Sequence, residues 1–415
     1  MGRSGNIEKQ KSFIMVVPSE EEVLNDIHSM VARLMRSKEF RFLGFLDNDD
    51  YPIARIKYKN NEYEVEFYPE NLEGIEFYRV NHKLSKEEFE CLKDKKYGLT
   101  VGMVFSDNFI ESYHLQLKIL NTLILSKVAV IDFNSEQILS GKWVELAAGS
   151  KVPPSPSYLY SIHAISEENK SVWLHSHGLN RCGMMELEIL DADKEHYVGY
   201  SNILDTFCKR AISDGSLVDE GDSIFIARLS NNFPVIATWF YWEDCMEDYE
   251  EDIIGSRGDR IDSHNKNTGV MYIYFPVRED EEARISHISV IADSVDDNPI
   301  LMLTDEETSR MRALAQERVL YFKNEIRKEN VVGLMKFGFD VNSNFKDEAK
   351  CTKEHLWFKV DEISGSKVKG VLIQDAYYIE DLKTDTELKL KIKNMTDWVI
   401  YENNMQITPD SIYLL

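Results

Sequence analysis

Cysteine is scarce and unpatterned in this 415-residue chain: Cys91, Cys182, Cys208, Cys245 and Cys351 are odd in number and form no CxxC pair. That excludes a disulfide framework and a structural zinc site built on thiolates. Long apolar runs are missing as well. No stretch reaches the ~20 residues that cross a bilayer, and the opening MGRSGNIEKQKS lacks the apolar centre of a signal peptide. The expected setting is the cytoplasm, with no membrane partner and with residues 1–12 disordered. Positive charge is short: 48 Lys and Arg stand against 72 Asp and Glu, a net charge of −24. Such a chain repels phosphate backbones, so no nucleic-acid partner is expected, and it favours a basic protein. The phosphate loop GxxxxGK[ST], the GxGxxG turn, the GxSxG elbow and the HExxH helix are all absent. Their absence removes nucleotide hydrolysis and the commonest esterase and zinc-protease mechanisms.

What is present is a globular composition, 43% apolar and 11% aromatic, long enough for two or three domains with cores of their own. Strand patterns at 13–17, 40–46, 53–59 and 63–68 alternate with helical spacings, and Ser-x-x-Glu capping boxes stand at Ser19/Glu22 and Ser85/Glu88. A longer helix spans 109–124, and prolines at 153, 154 and 156 impose an extended loop. Residues 243–269 are expected to form a long exposed loop that misses the calcium-loop spacing. A third capping box, Thr304/Glu307, opens a helix that ends near Lys328. The fold class expected is α+β, with mixed and antiparallel sheets and packed helices. The domains expected are 13–106 (α+β), 107–303 (central, mixed), a connecting helix at 304–330, and a small C-terminal β-barrel at 331–415 made of five short strands.

The densest chemistry lies at 172–190, VWLHSHGLNRCGMMELEIL. Side chains two apart on a strand share a face, which places Trp173, His175 and His177 together. In the second run Glu186 and Glu188 stand opposite the apolar Met185, Leu187 and Ile189. A hairpin pairing His177 with Met184 would set His175 across from Glu186, and a slip of one residue would destroy the match. Four readings are open. His175 and His177 supply two imidazoles to a divalent transition metal, with Glu186, His163 or Cys182 as a third ligand, in a site of hydrolytic type. Cys182 beside Arg181 is a thiolate nucleophile with His177 as base. Trp173, the histidines and Arg181 line a recognition surface. Or the histidines hydrogen-bond to Glu186, Glu188 or backbone carbonyls and stabilise the sheet, the reading sequence alone favours. In the last domain Trp357, Trp398 and Tyr401 are candidates for a peptide groove, although such residues are more often core.

The C-terminal segments Glu354-His-Leu-Trp-Phe358, Gly370-Val-Leu372, Ile379 with Leu382, and Thr396-Asp-Trp-Val-Ile-Tyr401 resemble the bacterial family known as domain of unknown function 2314, or YegJ-like, over about the last eighty residues. The chain departs from that pattern after Asn403, where Asn404-Met-Gln-Ile-Thr408 replaces a Gly-rich closing segment. The preceding part resembles the companion family, domain of unknown function 4026, through His114-Leu-Gln-Leu-Lys118, Trp143, Pro153-Pro-Ser-Pro156, Trp173-Leu-His-Ser-His-Gly-Leu179, Arg181-Cys-Gly183 and Glu186-Leu-Glu188. The resemblance implies a domain order and no activity. The function expected from sequence is a non-enzymatic, acidic protein-binding role, such as an inhibitor or immunity-like protein, without a cofactor. The alternative is a metal-dependent hydrolase-type enzyme using His175 and His177.

Overall fold

A computed structural model describes residues 2–415 apart from 75–77, 81, 83, 169–170, 230–233, 261–265, 277–282, 296–298, 301–304 and 346–351. The Thr304 cap, most of the turn at 230–234 and Cys351 lie outside the described residues. The chain divides into two compact units, residues 1–149 with 154–302, and residues 150–153 with 303–415.

The first unit holds two sheets. One is built from β1 (Ser12–Pro18), β2 (Arg41–Leu46), β3 (Ile53–Tyr58), β4 (Asn61–Asn71), β5 (Arg79–Val80), β6 (Tyr97–Met103), β7 (Lys127–Asp132) and β8 (Gln137–Ser140), in the order β2-β3-β4-β6-β1-β7-β8-β5. Because β7 and β8 belong to it, 106/107 is not a break in this sheet. Phe13 to Val17 lies centrally between β6 and β7, and Ile14 and Val16 are fully buried. The helix Phe109–Leu123 is anchored to the sheet by Gln116, whose amide donates to the carbonyls of Ser12 and Val101.

The second sheet comprises β9 (Ser161–Ser166), β10 (Val172–His177), β11 (Glu186–Ala192), β12 (Ile224–Leu229), β13 (Pro234–Tyr241), β14 (Thr268–Pro276), β15 (Ala283–Ser286) and β16 (Pro299–Ile300). It runs β16-β12-β13-β14-β11-β10-β9, with β15 paired to β14. β10 lies between β9 and β11, and all six of its residues are buried.

The second unit carries one sheet of β17 (Val331–Asp340), β18 (Lys353–Ser364), β19 (Lys367–Leu372), β20 (Glu387–Lys391), β21 (Met395–Glu402) and β22 (Met405–Ile407). Its order, β20-β19-β18-β17-β21-β22, leaves β20 and β22 as edges. The sheet is therefore open, a correction to the expected barrel. The helix Asp305–Glu317 covers one face: Trp398 is fully buried there and donates its indole N–H to the Ala315 carbonyl at 3.0 Å.

Local signals fared unevenly. The Ser85/Glu88 capping box forms as expected. The Ser19/Glu22 box does not, because a short 3-10 turn, Glu21–Asn25, intervenes and Asp26 instead caps the helix Ile27–Arg36 by accepting from the Ser29 N–H. Residues 2–11, expected to be disordered, are tied to the turn after β10: Ile7 N–H donates to the Gly183 carbonyl, Gln10 N–H to Asn180, and Met185 N–H to Gly5. Backbone groups of that turn supply the partners a polar tail cannot find in itself. The segment at 243–269, expected to be exposed, packs Cys245, Ile253 and Ile254, with the preceding Trp242, into one cluster with Trp173 and Leu190. Gly255, at φ 88°, approaches so closely that a Cβ would sit 2.9 Å from the Trp173 ring.

Candidate metal centre

The face that carries the chemistry follows from strand parity. Trp173, His175 and His177 project from one side of β10, and antiparallel β9 places His163 directly opposite His175. The rings of His163 and His177 are centred 4.3 Å apart, those of His175 and His177 4.7 Å, and those of His163 and His175 5.9 Å. Trp173 stacks on His175 at 4.1 Å. One ligating nitrogen from each of the three imidazoles lies within 4.8 Å of the other two. Bound to one ion with bonds of about 2.0–2.1 Å, three such nitrogens sit roughly 3.3 Å apart, closer than the 4.8 Å that bounds their separation here. Of the three third ligands offered by sequence, His163 is the one brought to the pair.

A fourth group arrives from the other sheet. Glu136 ends the turn between β7 and β8, with Oε1 3.4 Å from His177 Nδ1 and Oε2 3.7 Å from His163 Nδ1. Nothing in its local sequence marks it: it is one acidic residue in a polar turn. His177 and Glu136 also line a cavity of about 470 Å3, together with Lys11, Phe13, Phe133 and Asn180.

The hairpin register departs from expectation by two residues. His175 pairs with Glu188 and Leu174 with Ile189, whereas Met184 bridges to Asn6. The turn takes up the slack: Gly178 (φ 114°) and Gly183 (φ 78°) adopt left-handed conformations on either side of a 3-10 turn at Leu179–Cys182. A shift of two preserves facing, so Trp173, His175, His177, Glu186 and Glu188 still belong to one face. The carboxylates, however, are committed elsewhere. Glu186 accepts from Ser176 Oγ at 2.6 Å and from the backbone N–H groups of Gly178 and Asn180 at 2.8 and 3.1 Å, holding the turn. Burial raises its carboxyl pKa, and these bonds oppose the rise. Glu188 accepts from Trp173 Nε1 at 2.8 Å, from Arg260 at 2.7 and 3.2 Å and from Thr268 at 3.1 Å.

The remaining candidates are redistributed. Arg181 is wholly buried, 2.8 Å from Asp132, and donates to the Leu159 carbonyl and to Ser12 Oγ, with the Tyr113 ring beneath it. It joins the two sheets and presents nothing to solvent. Trp173, His175 and His177 are buried as well, so they form no recognition surface. Burial pushes the Cys182 thiol up to about 12, which keeps it protonated at neutral pH and removes the thiolate nucleophile. In the second unit, Trp398 pairs with Met335 on the helix-covered face, whereas Trp357 pairs with Lys336 and Tyr401 with Val332 on the other. Lys336 and Val332 lie about 13 Å apart along their strand, so the three aromatics do not make one groove.

The class defined by these features is an α+β unit of two mixed sheets with a histidine cluster in its interior, followed by a unit built on an open antiparallel sheet. The chain belongs to the family described as protein of unknown function DUF4026, whose N-terminal part matches residues 12–154 and whose C-terminal part matches 162–272; an uncharacterised domain conserved in bacteria, DUF2314, matches 305–409. No curated protein and no solved structure matches the chain. Among the described residues no helix is long and apolar enough to cross a membrane.

Proposed function

We propose that the first unit binds a divalent transition metal of the zinc class through His163, His175 and His177, in a site of hydrolytic type. The observation that carries this reading is the convergence of three imidazole nitrogens within 4.8 Å. Three nitrogen donors would leave one tetrahedral position for water, and one of the three rings, His177, lines a cavity of about 470 Å3. The chemistry such an ion would supply, held by His163, His175 and His177, is Lewis acidity toward a bound water. This reading takes precedence over the protein-binding role because the residues offered for a binding surface on the hairpin are buried. It keeps the cytoplasmic setting, which suits the free thiols of Cys91, Cys182, Cys208 and Cys245.

Elemental analysis of protein purified without an affinity tag, after exposure to zinc and removal of the excess, tests it. The expected result is about one equivalent of metal in the wild type and none in His163→Ala or in the His175→Ala, His177→Ala double variant. Absence of bound metal from the folded wild type sinks the proposal.

A further inference from the structure

Glu136 is held where it is by the rest of its turn. Asp132 Oδ1 accepts from the N–H groups of Asn134 and Ser135 at 3.2 and 3.3 Å, Asn134 Oδ1 accepts from the Phe13 N–H, and Ser161 of β9 donates its hydroxyl to the Ser135 carbonyl at 2.6 Å. Glu136 itself has φ 50°, a left-handed conformation uncommon for any side chain but glycine. The result is a carboxylate fixed opposite two rings, each oxygen facing a different Nδ1.

We infer that Glu136 is a positioning residue of the metal centre: its two oxygens accept Nδ1–H from His163 and His177 and thereby turn Nε2 of both rings to the metal. The inference rests on the metal reading for its purpose, but the tautomers it specifies are a property of the protein without metal. Each carboxylate oxygen faces a different ring nitrogen, His177 Nδ1 at 3.4 Å and His163 Nδ1 at 3.7 Å, so a closing movement of a few tenths of an ångström at His163 would complete the arrangement in which a carboxylate orients imidazole ligands without itself touching the ion. The support comes from the segment matched by the N-terminal family model, and the three ligands from the C-terminal one. Neither segment completes the centre alone.

Glu136→Gln tests the assignment with little change of shape. The glutamine keeps one acceptor but must present its NH2 to the other ring, which drives that ring to the Nε2–H tautomer in the metal-free protein, a proton that the metal must displace before that nitrogen binds. Nitrogen-15 spectra of histidine-labelled, metal-free protein are expected to show Nδ1–H tautomers at His163 and His177 in the wild type and an Nε2–H tautomer at one of them in the variant. Zinc affinity, measured by chelator competition, is expected to fall ten- to a hundred-fold, and Glu136→Asp, which restores the charge, is expected to recover part of it. The visible spectrum of the cobalt-loaded protein is expected to keep its coordination number in Glu136→Gln. Unchanged tautomers overturn the inference, and so does a lost ligand in the cobalt spectrum, which would make Glu136 a direct donor. If the wild type takes up no metal, the metal reading falls by itself while the tautomers of the metal-free protein still decide the role of Glu136.

Discussion

The second sheet of the first unit and the single sheet of the second unit bury very different things. Behind β17, β18 and β21 lie Met335, Phe337, Leu356, Phe358, Trp398 and Ile400, an apolar interior with the one indole N–H satisfied by a carbonyl. Around β10 and β11 the apolar Trp173, Leu174, Leu187 and Ile189 share the interior with His175, His177, Arg181, Glu186, Glu188 and Arg260. Ionised groups are expensive to bury unless each finds a partner. Arg181 has Asp132, and Arg260 has Glu188. The imidazoles are the part of this polar interior in which three nitrogens lie within 4.8 Å of one another, which is why metal chemistry is proposed for the first unit and none for the second.

The largest effect that would sharpen the contrast comes from Arg181→Ala. It leaves Asp132 buried without its cation, and chemical denaturation is expected to show the first unit losing about 3–5 kcal/mol; a loss below about 1 kcal/mol would mean that this interior tolerates unmatched charge. Next is the metal. At one hundred times its dissociation constant, zinc is expected to stabilise the first unit by about 2.7 kcal/mol, with no effect on the His175→Ala, His177→Ala protein. Equal stabilisation of that variant would move the binding to some other site.

The two units are also expected to respond oppositely to acid. In the first unit burial holds His82 down at about 3, against an ordinary 6.5. The unfolded chain takes a proton below pH 6.5 that the folded one refuses, so this contribution is whole above pH 6.5 and is lost as pH falls toward 3. In the second unit burial raises Asp397 to about 6 from an ordinary 3.8. Here the folded chain takes the proton first, so stability is fully present below pH 3.8 and is lost as pH rises through 6. Stability curves of His82→Asn and Asp397→Asn against wild type check both signs. The wild-type advantage over His82→Asn should shrink on acidification, and Asp397→Asn should exceed wild type at pH 7 and converge with it near pH 4. Parallel responses would break the comparison. The smallest effect is expected at Tyr401, which is 42% exposed: Tyr401→Ala should change stability by no more than about 0.5 kcal/mol, and a larger loss would show that the outer sheet face is structural too.

How much of this was legible depended on the range of the interaction. The facing of Trp173, His175 and His177 is a local property of a strand and was readable from alternation. The Ser85 cap, which needs only the next three residues, was readable as well. The Ser19 cap was misread because Asp26, further along, offered the same chemistry where the long helix begins. The hairpin register was misread because a shift of two residues leaves every side chain on its expected face, so no pattern of polarity could reveal it. The C-terminal barrel was misread for a related reason: short alternating strands announce a sheet, but closure depends on whether the edge strands meet.

By itself, then, the sequence determined the α+β class, the family, the face of β10 that carries Trp173, His175 and His177, and the chemical identity of those groups. Only the tertiary structure decided that those groups are buried, that His163 rather than Cys182 or Glu186 completes the cluster, and that Glu136 stands behind it. The physical reason is that alternation along one strand is a relation between neighbours two residues apart. The approach of Glu136 to His177 depends instead on how two sheets pack, and no residue near either of them in the chain carries that information.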